Sequence, residues 1–401
     1  MRDAYNIDDL RSLARSRLPR GLFEFIDRGT EDEVAVEGNR AAFDRIKFEP
    51  RVLVDVSRRS QAVTLFGKEF AMPIVVAPTG SAGLMWHEGE IALARAAAAA
   101  GIPCAVATGS MTAMERVAEQ NSHVWFQMAP WPDRSLSHQL MERARNAGYE
   151  ALIVTVDGAV AANREYNLRN GYTTPFSFTR RNTLDVLMHP GWLMGVLGKY
   201  MVSTGMPRYE NYPSEIKQRI TAQPMGKARL ITDTATWDDL RVLRSKWPHP
   251  LIVKGILRAQ DARSAVECGA DGIIVSNHGG RALDSTEAPI NVLPGIVEAV
   301  GHRTTVIVDS GFRRGSDVVK ALALGARAVM IGRPTLYGTA VAGEAGAARA
   351  IDIFRQEIDR ILALVGAVSI DQLDRSFLRA CSSSTQMFYT VKQSPGESSE
   401  T

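Results

Sequence analysis

The sequence predicts a (β/α)8 barrel. Three observations carry that expectation: eight short apolar runs rich in β-branched residues, an Ala-rich helical pattern after most of them, and a polar or charged residue at nearly every carboxyl end. Runs that stay apolar on consecutive residues belong to strands buried on both faces, as in a parallel sheet. Eight strand–helix units on a chain of 401 residues match a closed barrel. A doubly wound open sheet is the alternative, but the G-x-G-x-x-G expected after its first strand is absent.

In order, the strands read PIVVAP (73–78), CAVAT (104–108), VWFQMA (124–129), ALIVTVD (151–157), LIVKG (251–255), GIIVSN (272–277), TVIVDS (305–310) and AVMIGR (328–333). Their carboxyl ends carry Thr79, Gln127, Asp157, Lys254, His278, Asp309 and Arg333, on the face where such barrels do chemistry. Ahead of the barrel, residues 1–70 hold a helix starting near Asp8 and stopped by Pro19, then an acidic turn, DRGTEDE, at 27–33. The interval from Gly158 to Pro250 is too long for one βα connection, so an insertion over about 165–245 is expected after the fourth strand. The chain then reads as one domain over 1–380, with its barrel at about 71–365. The polar tail at 382–401 is expected to be disordered.

Composition narrows the class. Hydrophobic residues make up 45% and charged residues 23%, the balance of a soluble globular chain. With 47 basic and 44 acidic residues the net charge is +3, too even for a nucleic-acid binder. Cys104, Cys268 and Cys381 form no C-x-x-C pair, so neither a disulfide framework nor a metal site is expected. The start of the chain interleaves charges, and no run of about 18 apolar residues occurs, so a cytoplasmic protein without a spanning helix is expected.

DSGFRRGSDVVKALALGARAVMIGRP (309–334) joins the ends of strands seven and eight. Gly311 and Gly315 allow close backbone approach, Arg313 and Arg314 supply charge, and Gly332 with Arg333 closes a cup. Barrels bind phosphate in these loops with backbone N–H groups and a helix N-terminus; a basic solvated turn is the plainer alternative. Gln127 and Thr155 suit a ring with several hydrogen-bonding edges. Lys254 either stabilises negative charge on a reduced flavin or forms a buried salt bridge.

His278 sits in SNHGGRALD (276–284), with Arg281 three residues on, Asp157 at the end of strand four and Arg164 seven residues beyond that. An imidazole can take a proton, a carboxylate can fix its tautomer, and a guanidinium fork can hold a substrate carboxylate. With a flavin, these groups point to oxidation of a small hydroxy acid. His87, His123, His138, His189, His249 and His302 lack such neighbours and are expected to be structural.

SNHGGRALD, DSGFRRGSDVVKALALGARAVMIGR, APTG (77–80), TVDGAVAANRE (155–165) and LVDVSRRS (53–60) together resemble the FMN-dependent α-hydroxy-acid oxidase/dehydrogenase family over about residues 5–380. The resemblance implies a TIM barrel, bound FMN and a homotetramer. It makes His278 the active-site base, Asp157 its orienting partner, and Arg281 and Arg164 the holders of the substrate carboxylate. Lys254, Thr79, Gly80, Gln127, Thr155 and Thr108 would surround the flavin ring. Asp309, Gly311, Arg313, Gly332 and Arg333 would hold the ribityl phosphate. In the family a glycine at position 80 accompanies dehydrogenases and an alanine oxidases, which implies an acceptor other than oxygen.

Two family tyrosines are replaced here, by Phe25 and Ala129. A bulky or aryl 2-hydroxy acid is expected as substrate. An oxygen-using oxidase, or an enzyme acting on an α-hydroxy or α-amino amide, is the alternative. Residues 176–213 include HPGWLMGVLGKYMVSTGMPRY (189–209), with Arg180, Arg181, Lys199 and Arg208 around or within its apolar stretch. Such a segment can lie in a bilayer interface without spanning it, and the resemblance implies that role; a lid or a subunit contact is the alternative. A quinone or respiratory-chain acceptor would suit a peripheral membrane location.

Overall fold

The computed structural model describes residues 4–172, 176, 179–214, 217, 219–222 and 233–380; the tail expected at 382–401 lies outside them. Eight parallel strands close a barrel: β1 (Ile74–Val76), β2 (Cys104–Ala107), β3 (Val124–Met128), β4 (Ala151–Thr155), β5 (Leu251–Ile256), β6 (Gly272–Val275), β7 (Thr305–Val308) and β8 (Ala328–Ile331). Each strand pairs with its sequence neighbours, and β8 closes on β1 through Val329, Met330 and Ile331 against Ile74, Val75 and Val76.

Side chains alternate between two cores, as the pleat requires. Val75, Ala105, Trp125, Ile153, Ile252, Ile274, Ile307 and Met330 fill the barrel interior. Their neighbours, such as Ile74, Val76 and Leu152, pack outward under the helices. The hairpin of Val63–Leu65 and Lys68–Phe70 adds Val63, Leu65 and Phe70 to the interior core. Strand Ile46–Phe48 pairs antiparallel with Leu378–Ala380.

Helix α1 (Ile7–Arg17) begins at Asn6, whose side chain and that of Asp9 form a capping box, and it buries Ile7, Leu10 and Ala14 along one stripe. It packs on the long last helix, Arg333–Val365. Pro19 keeps Leu18 extended and starts α2 (Arg20–Asp27). Helix α3 (Val34–Asp44) follows; the Asp284 carboxylate accepts from Ala35 N at 2.8 Å and so satisfies a free N–H of its first turn. The last helix breaks at Gly343, φ 58°, and its two halves meet where a Cβ on Gly338 would lie 2.1 Å from the Gly346 carbonyl oxygen.

After β4 the chain forms Glu165–Arg169 and Arg180–Leu187, then a continuous helical stretch from Pro190 to Ser203 with a π-helical centre, Leu193–Gly198. Trp192 fixes that stretch to the barrel by donating its indole N–H to Leu84 O at 2.7 Å. Helix Trp237–Lys246 then leads into β5 and serves as the barrel's own fourth helix, so most of it falls inside the 165–245 interval. Among the described residues no helix is long and apolar enough to cross a membrane.

Candidate active site

The loop after β6 runs through three consecutive left-handed residues, His278, Gly279 and Gly280, at φ 58°, 67° and 71°. A Cβ on Gly279 would lie 2.7 Å from an Arg333 nitrogen, and one on Gly280 would lie 2.9 Å from Val36 N. Both positions therefore need glycine for space as well as conformation. The buried Asn277 and Asn39 amides exchange hydrogen bonds of 2.9 and 2.8 Å, which tie the loop to α3.

This loop presents His278 to Asp157, with Nδ1 2.9 Å from Oδ1. A carboxylate only accepts, so Nδ1 carries the proton and Nε2 the lone pair. Burial would raise the Asp157 carboxyl, but the adjacent His278 and the nearby Lys254 charge bring it down to about 2. Lys254 is buried within β5, just before a register shift, and its ammonium donates to Ser276 Oγ at 2.9 Å and pairs with Asp309 at 3.1 Å. Burial disfavours its charge, yet Asp309 and Asp157 outweigh that and hold the ammonium above its ordinary value. Lys254 is thus in a buried salt bridge and at the cavity wall at once.

Three arginines converge here without a carboxylate partner among the described residues. Arg281 donates to Phe25 O at 2.6 Å and Arg28 O at 2.9 Å, and its guanidinium lies 5.1 Å from the Phe25 ring centre. Arg333 donates to Ile26 O, Arg28 O and Gly279 O at 3.0, 3.0 and 2.8 Å. Arg164 donates to Arg281 O at 2.8 Å. The acceptors at 25, 26 and 28 are the carbonyls at the carboxyl end of α2, which lack intrahelical partners and form the negative end of its dipole. Burial first, and the neighbouring guanidinium second, lower Arg281 and Arg333 each to about 10. The corner is electropositive and suited to an anion.

A cavity of about 270 Å³ joins these groups. Thr79, Gly80, Phe25, Lys254, His278, Arg281, Arg164, Asp309, Gly311, Arg313, Gly332 and Arg333 all line it. Gln127, Thr155, Thr108, Ala129 and Asp157 do not; they stand at the ends of β2 to β4, and Asp157 reaches the cavity through His278. Thr108 Oγ1 donates to Gln127 O at 2.7 Å and Gln127 Nε2 to Thr155 Oγ1 at 2.9 Å, so these three form a ladder of their own.

The phosphate cup differs in one respect from the simplest expectation. At the helix after β7 the carboxylates of Asp317 and Glu357 already accept from Arg313 N, Arg314 N and Gly315 N, at 2.9, 3.0 and 2.6 Å. The helix start that borders the cavity is instead the one at Gly332, Arg333 and Pro334, after β8. Arg313 completes the cup, with its guanidinium over the Tyr337 ring.

Sequence reasoning missed Ser276, Ser310 and the α2 carbonyls. Ser310 accepts from Gly279 N at 3.0 Å and donates to Asp309 at 2.8 Å, so it braces the histidine loop against the lysine's partner. The two serines flank motif residues and were legible as hydroxyls at strand ends; backbone carbonyls leave no trace in a sequence.

The site fits FMN. Thr79 Oγ1 and Asp157 Oδ2 are buried on this side of the barrel without a hydrogen-bond partner, a state that buried polar atoms seldom keep. Hydroxyl, ammonium and guanidinium groups meet in one cavity whose far end is a cationic cup, which suits a polar ring carrying a phosphate.

The model of the FMN-dependent dehydrogenase family matches residues 14–380. The chain is 41% identical over 376 residues to (S)-mandelate dehydrogenase of Pseudomonas putida, which covers 94% of each chain. It is 39% identical over 383 residues to an L-lactate oxidase of Nostoc sp., covering 93% of this chain and 97% of the relative. A crystal structure of the monotopic membrane protein (S)-mandelate dehydrogenase superposes with a TM-score of 0.88 at 40% identity, over 94% of this chain and 100% of that one. A mandelate oxidase variant with (S)-mandelic acid superposes at 0.78 and 33% identity, over 94% and 98%. A match of this extent, on a closed barrel whose cavity suits the cofactor, makes the chain an FMN-dependent oxidoreductase of the α-hydroxy-acid dehydrogenase family.

Proposed function

We propose that the protein oxidises a bulky, aryl-type 2-hydroxy acid to the 2-oxo acid and passes the electrons to an acceptor other than oxygen. One observation carries this reading: His278, hydrogen-bonded from behind to Asp157, and two guanidinium groups without carboxylate partners among the described residues, Arg164 and Arg281, border the same cavity. In it, the two guanidinium groups bind and orient the substrate carboxylate. Nε2 of His278 accepts the substrate proton, and Asp157, ionised far below neutral pH, stabilises the imidazolium that results. Lys254 supplies positive charge at the cavity wall, where it would face the ring. Thr79, Gly80, Lys254, Gly311, Arg313 and Arg333 would hold FMN, which when bound would supply the capacity to take up two electrons.

Phe25 replaces a family tyrosine and lines the cavity without a hydroxyl, which favours an apolar group on the substrate. Gly80 supports the dehydrogenase assignment. A Cβ there would lie 3.4 Å from Gly109 O, ordinary contact, so the fold does not require the glycine. Oxygen use is the second reading, favoured by relatives named as oxidases.

Peripheral membrane association on the cytoplasmic side belongs to this reading. Leu184, Leu187, Met188, Met194, Met201 and Val202 are exposed on the helices after β4, beside Arg180, Arg181 and Lys199, as suits an interfacial segment. The homotetramer that the resemblance implies belongs to this reading too, and the exposed apolar neighbours Val52, Leu53 and Val54 would suit a contact between copies.

The test is anaerobic. The yellow holoenzyme is mixed with a panel of 2-hydroxy acids, mandelates first, and the oxidised flavin band is followed. Bleaching by an aryl acid with slow reoxidation in air is expected. A band bleached only by amides or esters, or one restored in air at the turnover rate with peroxide release, would replace the reading.

A further inference from the structure

His278 and Gly279 present two consecutive amides from the left-handed turn, and a serine hydroxyl accepts from each. Ser276 Oγ lies 3.0 Å from His278 N, and Ser310 Oγ lies 3.0 Å from Gly279 N. Both hydroxyls are tied further in. Ser276 Oγ also accepts from the Lys254 ammonium at 2.9 Å, and Ser310 Oγ donates to Asp309 Oδ1 at 2.8 Å. Lys254 and Asp309 meet at 3.1 Å. The circuit closes on itself: one ion pair, through one hydroxyl on each limb, holds two neighbouring amides of the loop after β6.

Directions within the circuit are fixed by chemistry. An ammonium only donates and a carboxylate only accepts, so Ser276 receives two hydrogen bonds, while Ser310 receives one and gives one. Ser276, Lys254 and Asp309 are buried, where a donor without an acceptor keeps its full desolvation cost. Among the described residues the third N–H of Lys254 has no partner, and Lys254 lines the cofactor cavity. A shift of the ammonium toward that cavity therefore pulls on Ser276 and, through one oxygen, on the backbone of His278.

We propose that Ser276 is a positioning residue for the reaction. Its hydroxyl fixes the Lys254 ammonium and the His278 turn to each other, so that the cation at the ring and the base at the substrate keep one spacing. Ser310 does the same for Asp309 and Gly279 on the other limb. The proposal rests on the hydroxy-acid reading above.

The test follows flavin reduction by a hydroxy acid in stopped flow, for the wild-type holoenzyme, Ser276→Ala, Lys254→Met and the double variant. Ser276→Ala should lower the limiting rate by about tenfold or more, the range for a lost hydrogen bond to a charged group. Half-saturation should stay within about twofold, because Arg281 and Arg164 donate to other acceptors. In the Lys254→Met background the same change should cost less than about threefold, since residues of one network are not additive. Should Lys254→Met fail to hold FMN, Ser276→Ala and Ser310→Ala with their double variant give the same cycle from the two limbs. Loss by the same factor in both backgrounds would make the serine independent of its partner and overturn the proposal. So would a wild-type rate in Ser276→Ala, or a loss that lies wholly in half-saturation. Failure of every hydroxy acid to bleach the wild-type flavin would overturn the parent reading instead. The same cycle on denaturation midpoints of the holoenzymes would then decide whether the hydroxyl joins the ammonium to the turn.

Discussion

Nδ1 of His278 stands 2.9 Å from Oδ1 of Asp157, and the histidine holds that contact from left-handed backbone. An L-residue in this conformation costs about 1–2 kcal/mol, which the glycines on its far side and the hydrogen bond from His278 N to Ser276 Oγ help to sustain. His278→Gln keeps a polar side chain and loses the proton acceptor. The variant should bind FMN and stay yellow, while flavin reduction in stopped flow falls by about 10²–10⁴-fold. An unchanged rate would remove His278 from the chemistry.

Asp157 gives a pH prediction. In the unfolded chain its carboxyl titrates near 3.9; in the fold it is held at about 2. A depressed carboxyl stabilises the fold fully above the unfolded value and ceases to do so as pH falls through the folded one. Denaturation midpoints of the wild type and Asp157→Asn should therefore differ most near neutrality and converge as pH drops from about 4 toward 2. A constant gap across that window would mean that the ionised carboxylate adds nothing.

Arg164 hydrogen-bonds Arg281 at its backbone oxygen, so its removal leaves the hydrogen bonds of the inner guanidinium to Phe25 O and Arg28 O in place. Arg164→Met should lower kcat/KM for a hydroxy acid by about 10–100-fold, the range for a lost hydrogen bond to a charged group. The corresponding amide should be affected far less. Equal losses for acid and amide would argue that Arg164 does not read the carboxylate.

The cationic cup predicts a preference for a phosphorylated flavin. FMN should raise the melting temperature of the flavin-free protein more than riboflavin at the same concentration, since a tighter ligand stabilises more. Arg313 has no carboxylate partner among the described residues, and Arg313→Ala should narrow that difference. Identical shifts for the two ligands in the wild type would place the phosphate elsewhere.

Packing of the last helix predicts a stability effect remote from the site. A methyl group at Gly338 would meet the Gly346 carbonyl at 2.1 Å, a contact that backbone must move to relieve. Gly338→Ala should lower stability by about 1–3 kcal/mol, the usual range for overpacking. A denaturant midpoint equal to wild type would show that the two half-helices can part.

The barrel was legible because its strands are buried on both faces, so each appears as an unbroken apolar run; β4 and β6 are clear cases. His278, Asp157, Lys254 and Asp309 were legible because strand ends converge on one face, which turns positions far apart in sequence into neighbours. What escaped depends on groups without a sequence signature. Nothing in FEFIDR announces that its carbonyls will hold Arg281 and Arg333, or that Asp317 and Glu357 will occupy the N–H groups of a glycine-rich helix start. Gln127 matched a family position and Ala129 departed from one, yet the space that they would border depends on side-chain packing across the mouth.

Phe25 and Ile26 meet Arg281 and Arg333 across sequence separations of 256 and 307 residues. Contacts so distant close late, because loop entropy must be overcome before they form. During synthesis α2 emerges early and can find Arg281 only once β6, and Arg333 only once β8, has followed. The catalytic mouth is thus completed late, and a nascent chain cannot expose a half-built flavin site to substrate before the barrel that supports it is nearly complete.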